Sequence, residues 1–234
     1  MTNGPTRVLI TGGSRGIGLG FVRRFLERGD EVVATARDPE GAKGLQGLAC
    51  DRLRVERLDV EDAASIEALG VAMRGRAIDV LINNAGITSS SKSLAVLDAA
   101  ELARVFMVNA IAPMLVTRAL IENLRAGRGR TIVQITSQLG SIAKNDGGSS
   151  YGYRASKAAL NQLNGSLGGE LAKDPGPPFS SVAMHPGWVR TDMGGPKGDL
   201  SVEEAVGFMM GTIDGLTPGQ SGAFLNYDGG VLPW

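Results

Sequence analysis

One cysteine and one histidine are all that the 234 residues offer of the two side chains most used in metal sites and nucleophilic catalysis. With Cys50 alone no internal disulfide can form, which points to a reducing compartment and a cytoplasmic protein. A His/Cys zinc cluster cannot be assembled from one of each, so no metal site is expected. A Ser-His-acid triad would have to use His185, which sits in "HPGWV", a Pro-Gly turn after a strand. A turn or core histidine is the simpler reading there. Excess charge is lacking too: Lys+Arg and Asp+Glu number 24 each, so net charge implies no face for nucleic acid or anionic membrane. No apolar run of about 18 residues or more exists, so no integral membrane contact is expected. The start, "MTNGPTRVLI", reaches an apolar strand without a signal-peptide pattern.

Glycine is what the chain has in quantity, 34 residues set at the ends of apolar runs rather than gathered in a linker. No repeat, low-complexity tract or domain boundary is visible, so residues 1–234 read as one domain. What recurs is a short apolar run followed by a helical pattern. Strands are expected at 7–11, 31–36, 53–60, 78–84, 130–137, 180–187 and 222–227. Helices are expected at about 16–28, 62–74, 98–124, 151–172 and 201–214; in the first, Ile17, Phe21, Phe25 and Leu26 share a face. Strands rich in Val, Ile and Leu that alternate with helices predict an α/β Rossmann fold. Its sheet would be doubly wound and parallel, of about seven strands, with helices on both faces. Ligands bind such sheets outside the carboxyl ends of the strands.

Chemistry-bearing residues fall at those ends. "ITGGSRGIG" joins the first strand to the first helix, with glycines at 12, 13, 16 and 18. Glycines there let a pyrophosphate approach the amides of a helix N-terminus, although a purely structural turn would use them as well. Farther on, Tyr151 and Tyr153 precede Lys157. A phenol that works as an acid-base group near neutrality must shift by about 3 pH units, roughly 4 kcal/mol. A nearby ammonium pushes it the right way. On a helix, residues four apart are only about 40° out of line, whereas residues six apart are about 240° out of line. Tyr153 is therefore the candidate and Tyr151 is not. Taken alone, a Tyr/Lys pair so spaced is more often an exposed helix pair. In the long helix, Pro113 has no N–H for the carbonyl of Asn109. That carbonyl either marks a plain kink or is bridged by a water to Lys157 as part of a proton path.

The order of these motifs resembles the short-chain dehydrogenase/reductase family over the whole chain. "TGGSRGIG", "NNAG" (83–86), "YRASK" (153–157), "HPGWVRTDM" (185–193) and "DGG" (228–230) match its signatures in sequence. "TSQLGSIAKNDGGSSYGYRASKAALN" and the terminal "VLPW" look most like its C-factor-like and carbonyl-reductase-like branch. The resemblance implies a catalytic set of Asn109, Ser137, Tyr153 and Lys157. Ser137 lies farther before Tyr153 than is usual in the family, so the loop between them should be extended, with Ser141 inside it as a weaker rival. A dinucleotide would be held by Gly12, Ser14, Arg15, Gly16, Ile17 and Gly18, by Asp59 and Val60, and by Asn84, Ala85 and Gly86. Tyr153, Lys157, Pro186, Gly187, Val189 and Thr191 complete that set. Ala36 ends the second strand where an acid would suit NAD, and Arg37 follows. Arg37 and Arg15 suit the adenosine phosphate of NADP, so NADP(H) is expected, with NAD(H) the alternative if Asp38 meets a ribose. Gln138, Leu139, Tyr151 and Trp188 would flank a small-molecule substrate in a fairly apolar pocket. The expected activity is reduction of a ketone or aldehyde. A nucleotide-binding regulatory protein of C-factor type is the main rival, and an epimerase or dehydratase a third reading. Family members also suggest a homodimer or homotetramer.

Overall fold

The computed structural model describes residues 4–234. Seven strands form one parallel sheet: β1 (Arg7–Ile10), β2 (Glu31–Ala36), β3 (Leu53–Arg57), β4 (Val80–Asn83), β5 (Thr131–Ile135), β6 (Ser180–His185) and β7 (Phe224–Asn226). Their order is β3-β2-β1-β4-β5-β6-β7, so the chain reverses its direction of winding between β1 and β4. Val8, Leu9 and Ile10 of β1 face Val32, Val33 and Ala34 on one side and Val80, Leu81 and Ile82 on the other. Strands buried on both faces need this unbroken apolar character, because helices cover each side.

On one face, α1 (Gly16–Arg28) and α8 (Val202–Asp214) bury Phe21, Val22, Phe25, Val206 and Met209 against β1, β5 and β6. The other face carries α3 (Ala63–Ala72), α4 (Ala99–Phe106), α5 (Ala112–Ala119), α6 (Ile121–Arg125) and α7 (Tyr151–Leu171). The short α2 (Lys43–Gln46) was not foreseen; its one buried residue, Leu45, tucks into the first core.

The expected helix over 98–124 is not continuous. Between α4 and α5, residues Met107–Ile111 form a π-helical turn in which the Ala112 N–H reaches back to the Met107 carbonyl. The ladder steps by one residue just ahead of Pro113, which has no N–H to offer. Leu120 then breaks the helix again before α6. The stretch Ala99–Ala119 is long and apolar enough to cross a membrane by length and composition. Here its apolar side, including Val105, Val108, Ala112 and Val116, is buried, and the stretch packs on α3 and α7.

Candidate active site

The carboxyl ends of the strands converge on one cleft at the reversal point. Gly12, Ser14, Arg15, Gly16 and Ile17 after β1 line it, as do Arg37 after β2, Asp59 and Val60 after β3, and Asn84, Ala85 and Gly86 after β4. Tyr153, Lys157, Pro186 and Thr191 line its other end. Adjacent strands hold the floor together: the Thr11 hydroxyl accepts the N–H groups of Asn84 and Ala85 at 2.9 and 3.1 Å. The Asn84 amide donates to the carbonyls of Thr11 and Gly12.

The glycine loop fits a pyrophosphate. A Cβ on Gly18 would lie 2.2 Å from the Gly12 carbonyl oxygen, so the helix begins directly beneath the loop. Gly12 has φ +65°, which lets the chain turn there. No side chain caps the start of α1 and its first turn has no acid, which leaves its amides to serve an anion at the cleft. Gly18, Gly187 and Val189 are not among the residues that line the cleft. Gly18 is buried under the loop, Gly187 packs against Leu200 and Tyr227, and Val189 is buried. Thr35, Leu58, Val108, Ile135 and Thr136 line it without any signal that marked them, and four further lining residues were missed: Glu61, Ile87, Asp192 and Met193. Each directly follows an assigned residue or another of these four, so reading the motifs onward would have found them.

One charged side chain after β2 faces the cleft and its neighbour does not. Arg37 is exposed and lines the cleft, whereas Asp38 turns away and accepts the Gly41 N–H at 3.0 Å. Arg104 of α4 holds Glu61 through two hydrogen bonds of 2.7 Å, which lowers the Glu61 carboxyl below its ordinary range.

At the other end the catalytic candidates come together. A Cβ on Gly140 would lie 2.7 Å from the Lys157 backbone carbonyl carbon. The 3₁₀ turn Gln138–Gly140 therefore rests on α7 and carries Ser137 to Tyr153. The Ser137 hydroxyl accepts the Leu139 N–H at 3.1 Å and hydrogen-bonds the Tyr153 phenol. The Lys157 ammonium is buried, donates to the Ile135 carbonyl at 2.8 Å and lies 5.9 Å from the centre of the Tyr153 ring. Burial pulls it down to about 8, so it is still largely charged at neutrality. Burial pushes the Tyr153 phenol up, with the Ser137 hydrogen bond opposing. Burial thus opposes the downward shift that the ammonium and an oxidised nicotinamide would bring. A raised phenol stays protonated at neutrality, the form a proton donor needs.

Asn109 is fully buried in the π turn. Its amide donates to the Ile87 carbonyl at 2.9 Å and to the Ser156 hydroxyl at 3.1 Å, and its oxygen accepts the Ile87 N–H. That oxygen and the Lys157 ammonium flank Gly86, 3.2 and 3.8 Å from where its Cβ would stand. The expected extended loop is present after Ser141. It ends with Gly148, Ser149 and Ser150 all in left-handed conformations, which aim Tyr151 outward at the start of α7. Ser141 is turned from the centre, donating to the Pro233 carbonyl at 2.7 Å. Gln138, Tyr151 and Trp188 are exposed, Leu139 is half-buried, and the Trp188 indole N–H is pinned to the Gly194 carbonyl at 2.8 Å.

His185 is buried at the end of β6, with no partner for Nδ1 among the described residues. Burial, with the charge of Lys144, pulls its imidazole from 6.5 down to about 4. The unfolded chain therefore binds the proton first, and stability should fall by roughly 3 kcal/mol as pH drops from about 6.5 to about 4. Urea midpoints for His185→Gln should lose most of this slope; an unchanged slope would assign it to other groups.

The sequence model described as short chain dehydrogenase matches residues 6–200. The chain belongs to this family. It is 45% identical over 157 residues to C-signal of Myxococcus xanthus, covering 67% of this chain and 93% of that protein. Solved short chain dehydrogenase structures superpose closely. The carbonyl reductase Sniffer of D. melanogaster has a TM-score of 0.92 at 33% identity, with 99% of this chain and 100% of that one covered. The NADPH-bound carbonyl reductase from chicken fatty liver has a TM-score of 0.89 at 36% identity, with 98% and 99% covered.

Proposed function

We propose that this short chain dehydrogenase reduces a ketone or aldehyde to an alcohol with NADP(H) rather than NAD(H), with residues 1–234 acting as one catalytic unit. The observation that carries the reading is the meeting of Ser137, Tyr153 and Lys157 at the end of a cleft whose far end presents Arg15 and Arg37. When bound, the nicotinamide supplies the hydride. The Leu139 N–H takes one of the two lone pairs of Ser137 and turns its proton toward the site, where it passes from the Tyr153 oxygen to the carbonyl oxygen of a bound substrate. Tyr153 gives its proton to that oxygen as negative charge develops. The Lys157 ammonium stabilises the phenolate left behind and serves the ribose hydroxyls. Asn109 keeps the β4 loop beside Lys157, and a water on its backbone carbonyl returns the proton from solvent. Thr191 receives the carboxamide. Gln138, Leu139, Tyr151 and Trp188 form the wall that a fairly apolar substrate meets.

Likeness to C-signal favours a second reading, a nucleotide-binding regulatory protein. A sensor has little use for a buried ammonium beside a protonated phenol, so the enzyme is the stronger reading. Mixed with NADPH and a panel of ketones and aldehydes, the protein should oxidise NADPH. Tight NADPH binding with no oxidation across the panel would support the regulatory reading instead.

A further inference from the structure

The segment after β6 is tied to the rest of the fold by one side-chain bond. Within Thr191–Lys197, the Gly194 N–H donates to the Thr191 hydroxyl, the Gly195 N–H donates to the Thr191 carbonyl, and Gly194 accepts the Trp188 indole. All of these stay inside the segment and the turn that precedes it. The Thr191 hydroxyl also donates to the Val189 carbonyl in that turn, and among the described residues the hydrogen bond that joins Thr191–Lys197 to anything beyond the turn runs from Arg15 Nη1 to Asp192 Oδ2, at 3.0 Å. It joins the glycine loop to the segment across the cleft that both residues line.

We infer that Asp192 is a cofactor-specificity residue: its ion pair with Arg15 latches the 191–197 segment over the cleft, and the adenosine phosphate of NADP(H) releases it by taking Arg15. The inference rests on the NADP(H) reading above. Arg15 and Asp192 are 75% and 81% exposed, so their pair is weak, worth up to about fivefold in an equilibrium. A phosphate monoester carries nearly two charges and binds a guanidinium through two oxygens, so it outcompetes one exposed carboxylate. The same exposure leaves Arg15 room to swing. Arg190, at the segment's base, holds the carbonyls of Gly198 and Asp199 and so stays in place when the latch opens. A dinucleotide without the extra phosphate brings only its pyrophosphate, which the free amides at the start of α1 hold, so it leaves Arg15 with Asp192.

Lys197 is exposed in the latched segment, so trypsin reads the latch directly. In the wild-type protein, 2′,5′-ADP should speed cleavage after Lys197 by about two- to fivefold, and 5′-ADP at matched occupancy should not. Asp192→Asn should cleave at the faster rate with no nucleotide. The same variant should bind NADPH about two- to fivefold tighter and NADH with unchanged affinity. Tighter binding of both would make Asp192 a general electrostatic effect and overturn the latch. Preferential binding of 2′,5′-ADP with unchanged cleavage overturns the latch alone. Equal affinity for 2′,5′-ADP and 5′-ADP overturns the NADP(H) reading and the latch with it.

Discussion

Tyr153→Phe should lower carbonyl reduction by about 10²–10⁴-fold, the range that a positioned proton donor contributes, while NADPH binding stays near the wild-type value. The substitution removes one oxygen from a ring that is otherwise packed between Ser137 and Lys157. Its lost hydrogen bond is to a hydroxyl that can turn to another acceptor, so the fold should not suffer. Lys157 keeps its bond to the Ile135 carbonyl and its place in the cleft. Tyr151→Phe is the control: that residue stands exposed at the mouth of α7 and should at most alter substrate preference. Steady-state rates and NADPH titrations on both variants check the asymmetry. Turnover retained by Tyr153→Phe would remove the phenol from its role.

The second large effect belongs to the opposite end of the cleft. A double Arg15→Ala, Arg37→Ala variant should weaken NADPH by about 10²-fold, since each charge-assisted hydrogen bond to a phosphate contributes about 1.5–3 kcal/mol before its solvent exposure reduces it. NADH should bind the variant as it binds the wild type. Asp38 gives no ground for NADH preference, because its carboxylate is taken up in the turn to Gly41. Glu61, an acid that feels the charge of Arg37, is neutralised by Arg104 and does not cancel the site. Losing Arg15 also breaks the bond to Asp192, but an exposed pair costs little to lose. Titration of both dinucleotides decides the matter: equal losses would show that the arginines serve the shared pyrophosphate instead.

The parallel sheet and the cleft were legible because both rest on short-range signals. Val, Ile and Leu runs mark the buried strands, and the motif residues fall where those runs end, from Gly12 to Thr191. Every expected strand except β2 ran past its true ends. β3 stops at Arg57 because Leu58 and Asp59 already turn into the cleft, and β7 is confined to three residues. The π turn at Met107–Ile111 was half legible: Pro113 announced a break in the ladder, but not that it would be absorbed by one extra residue per turn. Long-range side-chain partners were not legible at all. Nothing in the spacing of Arg15 and Asp192, or of Glu61 and Arg104, says that the sheet's winding sets them together. Nor can spacing weigh desolvation against charge: burial of the Tyr153 phenol opposes the downward shift that an ammonium and an oxidised nicotinamide would bring.

Following the hydride itself tests the account most directly. With NADPH deuterated at the transferred position of its nicotinamide and a ketone from the reactive panel, the alcohol formed should carry one deuterium on the former carbonyl carbon. Its yield should match the NADPH oxidised, and Tyr153→Phe should form almost none. An alcohol without the label, or NADPH oxidised with no alcohol formed, would contradict direct reduction of a carbonyl at this site.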